Sequence, residues 1–141
     1  MVMVLDASVV VKLFVDEPLS EAAKTIVERY PLLFAPDLIR IEVSSAITRK
    51  ARNRAIPADM AYEKLREWKR FLDENNLQLI AAEELLEDAE KLSIELRHPL
   101  KDCLYLATAK LHRLPLVTAD KPFIDALKGR FPKVRHLSEF G

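Results

Sequence analysis

VMVLDASVVVKLF, residues 2–14, sets the frame for the rest of the chain. Val2–Leu5 is a short apolar run that stops at an acid, Asp6, and reads as a buried strand. Residues 8–14 are apolar again and end before Asp16, Glu17 and Pro18, which predicts a short helix. Strand, aspartate, helix is the opening of an alternating unit, and the alternation continues downstream.

Ser20 is placed to cap a helix with Ala23, Ile26, Val27 and Tyr30 on one face, and Pro31 ends it. Residues 32–35 read as a second strand. Pro36 and Asp37 open a long helix that runs to about residue 54. Ile41, Ser45 and Ile47 are expected to supply its inward face, and RKARNR, residues 49–54, its polar end. Pro57 starts another helix, with Ala61, Leu65, Trp68 and Leu72 at helical spacing, until Asn75 and Asn76 stop it. Residues 77–80 form a third strand. Residues 83–96 are amphipathic through Leu85, Ala89, Leu92 and Leu96, and His98-Pro99 breaks the chain. Residues 101–111 are so apolar that their helix should be buried. Leu116–Thr118 is a fourth strand, again followed by an acid, Asp120. Residues 122–127 form a short helix closed by Gly129, and residues 134–137 a last, edge strand.

Strands that alternate with helices predict an α/β fold, a three-layer sandwich with a mostly parallel sheet of four or five strands and helices on both faces. The 141 residues suit a single domain, residues 1–141. In such sheets ligands bind outside the carboxyl ends of the strands.

Bulk properties bound the function. The chain has 22 basic and 22 acidic side chains, so it is no basic coat protein for nucleic acid. With 2 glycines and neither GxGxxG nor GxxxxGK, it lacks the usual phosphate cradles. No apolar run approaches the ~18 residues of a membrane span. The start MVMVLDASVV has no basic region before its apolar stretch, so no secretory leader is expected. The single cysteine, Cys103, permits no internal disulfide, and a cytoplasmic setting is the expectation.

Four acids sit where core-building does not call for them. Asp6 follows VMVL, Glu42 lies between Ile41 and Val43, Asp102 heads the apolar run CLYLATA, and Asp120 follows LVTA. A carboxylate beside a buried strand costs free energy unless it is paired or bound to a cation. Converging carboxylates raise one another's pKa, and a hard divalent cation relieves the repulsion. Mg²⁺ or Mn²⁺ held by oxygens activates water and stabilises a phosphodiester in transit. Each acid also has a plainer reading: Asp6 and Asp120 as turn residues after strands, Asp102 as a helix-start acid, Glu42 as a solvated helix residue. The four together in a strand–helix frame favour a site.

VLDASVVVKLF (residues 4–14), APDLIRIEVSSAI (35–47), KDCLYLATAKL (101–111) and LVTADKPF (116–123) resemble, in order, the four blocks of a PIN domain of the VapC type. The resemblance spans nearly the whole chain. It implies that Asp6, Glu42, Asp102 and Asp120 surround Mg²⁺ or Mn²⁺, with Ser8 and Thr118 ordering the shell around them. It further implies a metal-dependent endoribonuclease, the toxin of a toxin–antitoxin pair. A homodimer is implied as well, together with an RNA substrate and an antitoxin whose C-terminal segment blocks the acidic pocket. Lys101 departs from the aromatic or polar residue expected before the Asp, and is a candidate partner for a site acid or for phosphate.

Other residues are read more plainly. Cys103 is expected in the core, Trp68 in the core or at an interface, and His98, His112 and His136 at the surface or as caps. The RKARNR run suits either an RNA backbone or its own helix terminus. The direction of Lys12 is open. The helix faces in residues 23–30 and 61–72 are candidates for the dimer surface. Two other functions compete. A receiver-like signalling domain needs paired acids after the first strand, but Asp6 is followed by Ala7 and Ser8. A PIN-like scaffold that binds RNA or protein without cutting has no need of four intact acids.

Overall fold

The computed structural model describes residues 2–127, 129–131 and 133–140. The apolar runs form five strands: β1 (Val2–Leu5), β2 (Leu32–Pro36), β3 (Gln78–Ile80), β4 (Leu116–Thr118) and β5 (Val134–His136). They pair in the order β3-β2-β1-β4-β5, every pairing parallel. Between them run α1 (Ala7–Val10), continued as a 3-10 turn over Val11–Leu13, α2 (Ser20–Arg29), α3 (Ile39–Arg52), α4 (Ala58–Asp73), α5 (Ala82–Leu96), α6 (Leu100–His112) and α7 (Lys121–Leu127).

The strand order dictates the layers. From β1 the chain steps outward to β2 and β3, then returns across the sheet to β4 and β5. Right-handed crossovers therefore place α1–α4 on one face and α5–α7 on the other. The packing agrees: α3 meets α1 and α4, whereas α6 lies across β1, β2 and β4 with α5 against it. A helix covered by both sheet and helix must be apolar all round, which is why Asp102 through Ala109 are all buried. The sheet reverses its winding between β1 and β4, and that switch point is where two adjacent strand ends leave a crevice.

Chain punctuation follows local chemistry. Pro57 and Pro99 stand just before α4 and α6, where a missing N–H costs nothing. Asn75 takes the left-handed conformation that closes α4 (φ 58°), and Gly129 does so after α7 (φ 74°). Trp68 belongs to the core, edge-on to Phe14 at 5.6 Å, and Cys103 is buried as expected.

Three expectations need correction. The inward stripe of α3 is Ile39, Val43 and Ile47, an i, i+4, i+8 set, while Ser45 and Ile41 point to solvent, Ile41 at 66% exposure. Ser20 does not cap α2. Leu19 is the N-cap, in a left-handed conformation, and the Ser20 hydroxyl turns back to accept from the Glu17 N–H (3.0 Å) and donate to the Val15 carbonyl (3.3 Å). The third concerns the helix faces read as dimer candidates: Ala23, Ile26, Ala61 and Trp68 are buried in this chain's own core, which leaves exposed apolar groups such as Tyr62 and Met60.

The corrected phase of α3 is testable by urea unfolding. Ile47→Ala, at a fully buried position, should cost about 2–4 kcal/mol. Ile41→Ala should stay within about 0.5 kcal/mol of the parent. Equal losses would contradict the orientation of this helix.

Candidate active site

Asp6 is the residue between β1 and α1, in extended conformation (φ −73°, ψ 152°). Its N–H continues the β1–β4 ladder by donating to the Val117 carbonyl (3.0 Å), and its carbonyl accepts from Val9 as α1 begins. Its carboxyl caps nothing. Instead Oδ2 accepts two hydroxyls, Ser8 Oγ at 2.7 Å and Thr118 Oγ1 at 2.7 Å. Each hydroxyl in turn accepts a backbone N–H from the segment after β4: Ala119 donates to Ser8 Oγ (3.0 Å) and Asp120 to Thr118 Oγ1 (3.0 Å). A hydroxyl has one proton to give and lone pairs to receive, so each commits its single proton to Asp6 and still accepts an N–H. The loop after β1 and the loop after β4 are thereby joined through one carboxylate.

The remaining acids arrive from three directions. Asp120 stands at the start of α7, its Oδ1 accepting the Phe123 N–H (3.2 Å). Glu42 lies in the first turn of α3 and Asp102 in the first turn of α6, helices from opposite layers whose N-termini favour negative charge. Thus the helix-start reading of Asp102 and its place in the cleft are both true. Tyr105 Oη donates to Glu42 Oε1 at 2.6 Å, Lys101 Nζ approaches Glu42 Oε2 at 3.9 Å, and His98 Nε2 lies 2.7 Å from Asp102 Oδ2.

All four acids, with Ser8, line one cleft of about 180 Å³ at the carboxyl edge of the sheet, and Arg49 and Lys101 stand on its wall. Thr118 is buried beneath it. Larger concavities exist, such as the groove of about 240 Å³ between α6 and the β5 edge, but its lining of Leu106, Ala109, Leu114, Phe131 and Val134 gathers no acids. Of the RKARNR run only Arg49 reaches the cleft. Lys50 and Lys12 both pair with Glu17, at 2.9 and 3.2 Å.

Burial dominates the electrostatics of the site, and the neighbouring charges add to it. Burial, with the negative charges of Asp102 and Glu42, pushes the Asp6 carboxyl up to about 6 against the pull of its two hydroxyl donors. Glu42 is also raised, first by burial and then by Asp102, although Tyr105 and Lys101 oppose the shift. Burial and the neighbouring Asp6 and Glu42 charges hold the Tyr105 phenol protonated far above its ordinary range. Among the described residues no three His, Cys, Asp or Glu side chains are gathered closely enough, as they stand, to hold a metal ion. The carboxylates face a shared space rather than one point.

Sequence reasoning missed two members of this arrangement. Tyr105 is three residues after Asp102, one helical turn away, and that spacing was the available signal. His98 was expected at the surface or as a cap, yet its side chain is 12% exposed and it meets Asp102 across Pro99 at an i, i+4 spacing. His112 is indeed exposed, stacked on Phe34, and His136 bonds Ser138.

The PIN domain family model matches residues 3–128. This chain belongs to the PIN domain family. A PIN relative, Ribonuclease VapC3 of Pyrobaculum aerophilum, is 31% identical over 122 residues, covering 86% of this chain and 91% of that protein. Among solved structures, a chain of a toxin-antitoxin complex from Klebsiella pneumoniae has a similar fold, with a TM-score of 0.62 and 22% identity over 84% of this chain and 86% of that one.

The raised Asp6 carboxyl has a stability signature. The folded protein holds this proton more tightly than the unfolded chain, so the contribution is favourable below about pH 4 and is lost as pH rises to about 6. Asp6→Asn keeps an oxygen for both hydroxyls and removes the titration. In EDTA its stability relative to wild type should rise across that window, by on the order of 2–3 kcal/mol. Urea unfolding from about pH 4 to pH 7 checks this, and a flat difference would contradict the burial of this charge.

Proposed function

We propose that this chain is a divalent-metal-dependent endoribonuclease, the toxin of a toxin–antitoxin pair, and that Asp6, Glu42, Asp102 and Asp120 form its catalytic centre. The observation that carries the reading is the convergence of these four carboxylates, from two strand ends and two helix starts, on one cleft. A relative bearing the name of a ribonuclease points the same way.

The residues fit a hard cation. The acids that line the cleft offer oxygen only, with no Cys or His among its lining side chains. Asp6 is buried with one oxygen occupied by hydroxyls, and its pKa is raised first by that burial and then by the charges of Asp102 and Glu42. An open arrangement of carboxylates suits Mg²⁺ or Mn²⁺, ions that keep part of their water. When bound, such an ion supplies Lewis acidity toward a phosphodiester and a water acidified for attack.

The chain's own groups prepare that chemistry. Ser8 and Thr118 hold the Asp6 carboxyl in one orientation and leave its other oxygen to the cleft. Tyr105 does the same for Glu42 from beneath. Because burial and the nearby acids keep Tyr105 protonated, it acts as a fixed donor there, not as a base. Arg49 and Lys101 bring positive charge to the wall of an acidic cleft, where an RNA backbone needs it. An antitoxin segment carrying a cation into the same cleft would block it. A cytoplasmic homodimer completes the proposal, and among the described residues no helix is long and apolar enough to cross a membrane.

Purified protein incubated with single-stranded and structured RNA should cleave in Mg²⁺ or Mn²⁺ and fall silent in EDTA. Asp6→Asn should lower cleavage by at least about a hundredfold while remaining folded. Cleavage that persists in EDTA or in this variant would overturn the mechanism.

A further inference from the structure

We propose that His98 is a positioning residue that holds Asp102, through the Nε2 hydrogen bond, in the orientation in which it meets the bound cation. The inference rests on the functional reading above and assigns a role to a residue that reading does not use.

His98 is built into place at both ends. Its backbone carbonyl accepts the Ser93 hydroxyl at 2.6 Å, and its N–H donates to the Ser93 carbonyl at 3.2 Å, so the end of α5 fixes the main chain. Its ring lies flat against Phe123, with centroids 4.9 Å apart and planes 15° from parallel. Phe123 is fully buried on α7, and its own N–H donates to Asp120 Oδ1. Asp120, Phe123, His98 and Asp102 therefore form one continuous path that joins two of the four acids across two helices.

The chemistry calls for such a brace. Asp102 shares the cleft with Asp6 and Glu42, whose charges would push a free side chain toward other rotamers. A carboxylate offers only acceptors, so at 2.7 Å the imidazole Nε2 carries the shared proton and donates it to Oδ2. The other oxygen of Asp102 is left for the cleft. The ring cannot swing away without losing the Phe123 stack, so the orientation is set before any ion arrives. Carboxylates that bind metals are in general held by such outer hydrogen bonds, and losing one costs affinity.

Two variants separate the hydrogen bond from the stack. His98→Phe keeps an aromatic ring on Phe123 and removes the donor. His98→Gln keeps an amide N–H at similar reach and removes the ring. Mn²⁺ binding is measured calorimetrically on the full chain without RNA, and thermal melts in EDTA monitor the fold. His98→Phe should melt close to wild type yet bind Mn²⁺ about tenfold or more weakly, and His98→Gln should recover to within about threefold of wild type. Undiminished binding by His98→Phe, or equal losses in both variants, would overturn the proposal. If His98→Phe does not fold, His98→Gln decides: affinity within about threefold supports the role, and a loss of about tenfold overturns it. A wild type that takes up no Mn²⁺ overturns the functional reading and this inference with it, whereas failure of the variants alone leaves that reading standing.

Discussion

Asp6 Oδ2 accepts two hydroxyls, and the rest of the site depends on that junction. β1 and β4 are neighbours in the sheet but more than a hundred residues apart in the chain. Main-chain pairing brings them side by side. It does not fix the loops that follow them. Ser8 and Thr118 do, because both donate to the same carboxylate oxygen, while Ser8 accepts the Ala119 N–H from the loop after β4 and Thr118 accepts the Asp120 N–H of its own loop. The start of α7, and with it Asp120, is placed relative to Asp6 by these bonds. Such a buried polar network is stable only when every member is satisfied, and among the described residues no buried side-chain polar atom lacks a partner.

The junction sits at the point where the sheet reverses its winding, and helices from both layers add their first turns to it. Glu42 comes from one face and Asp102 from the other. Each carries its own support, Tyr105 beneath Glu42 and His98 beside Asp102. The fold thus buries carboxyls close to one another at a cost, and the Asp6 and Glu42 carboxyls are raised first by that burial and then by their acidic neighbours. A structure without need of a cation would gain by dispersing these groups. Helix N-termini relieve some of the repulsion, and a divalent ion would relieve more.

Much of this was legible before any coordinates. Short apolar runs that end in an acid gave β1 and β4 together with Asp6 and Asp120, because strand length and the polarity switch are local properties. The buried character of α6 was equally local: a run as apolar as CLYLATA has nowhere else to go. Ser8 and Thr118 were reached through the family resemblance, since two hydroxyls among many carry no signal of their own. The phase of α3 was misread because IRIEV offers Ile39 and Ile41 as alternatives, and only packing against the sheet chooses between them. His98 looked like part of a chain break beside Pro99. Its ring is held against Phe123, twenty-five residues later on α7, and no spacing rule connects them. Ser20 has the composition of a cap, but the turn before α2 claims its hydroxyl first.

The central claim is that the four carboxylates share a divalent cation. Anomalous scattering from crystals grown with Mn²⁺ tests it most directly, because it locates the ion without reference to activity. The account predicts an anomalous peak in the cleft, with carboxylate oxygens from Asp6 and at least one of Glu42, Asp102 and Asp120 at roughly 2.1 Å or bridged to it by water. Peaks confined to other parts of the surface, with the cleft carboxylates bare, would contradict it.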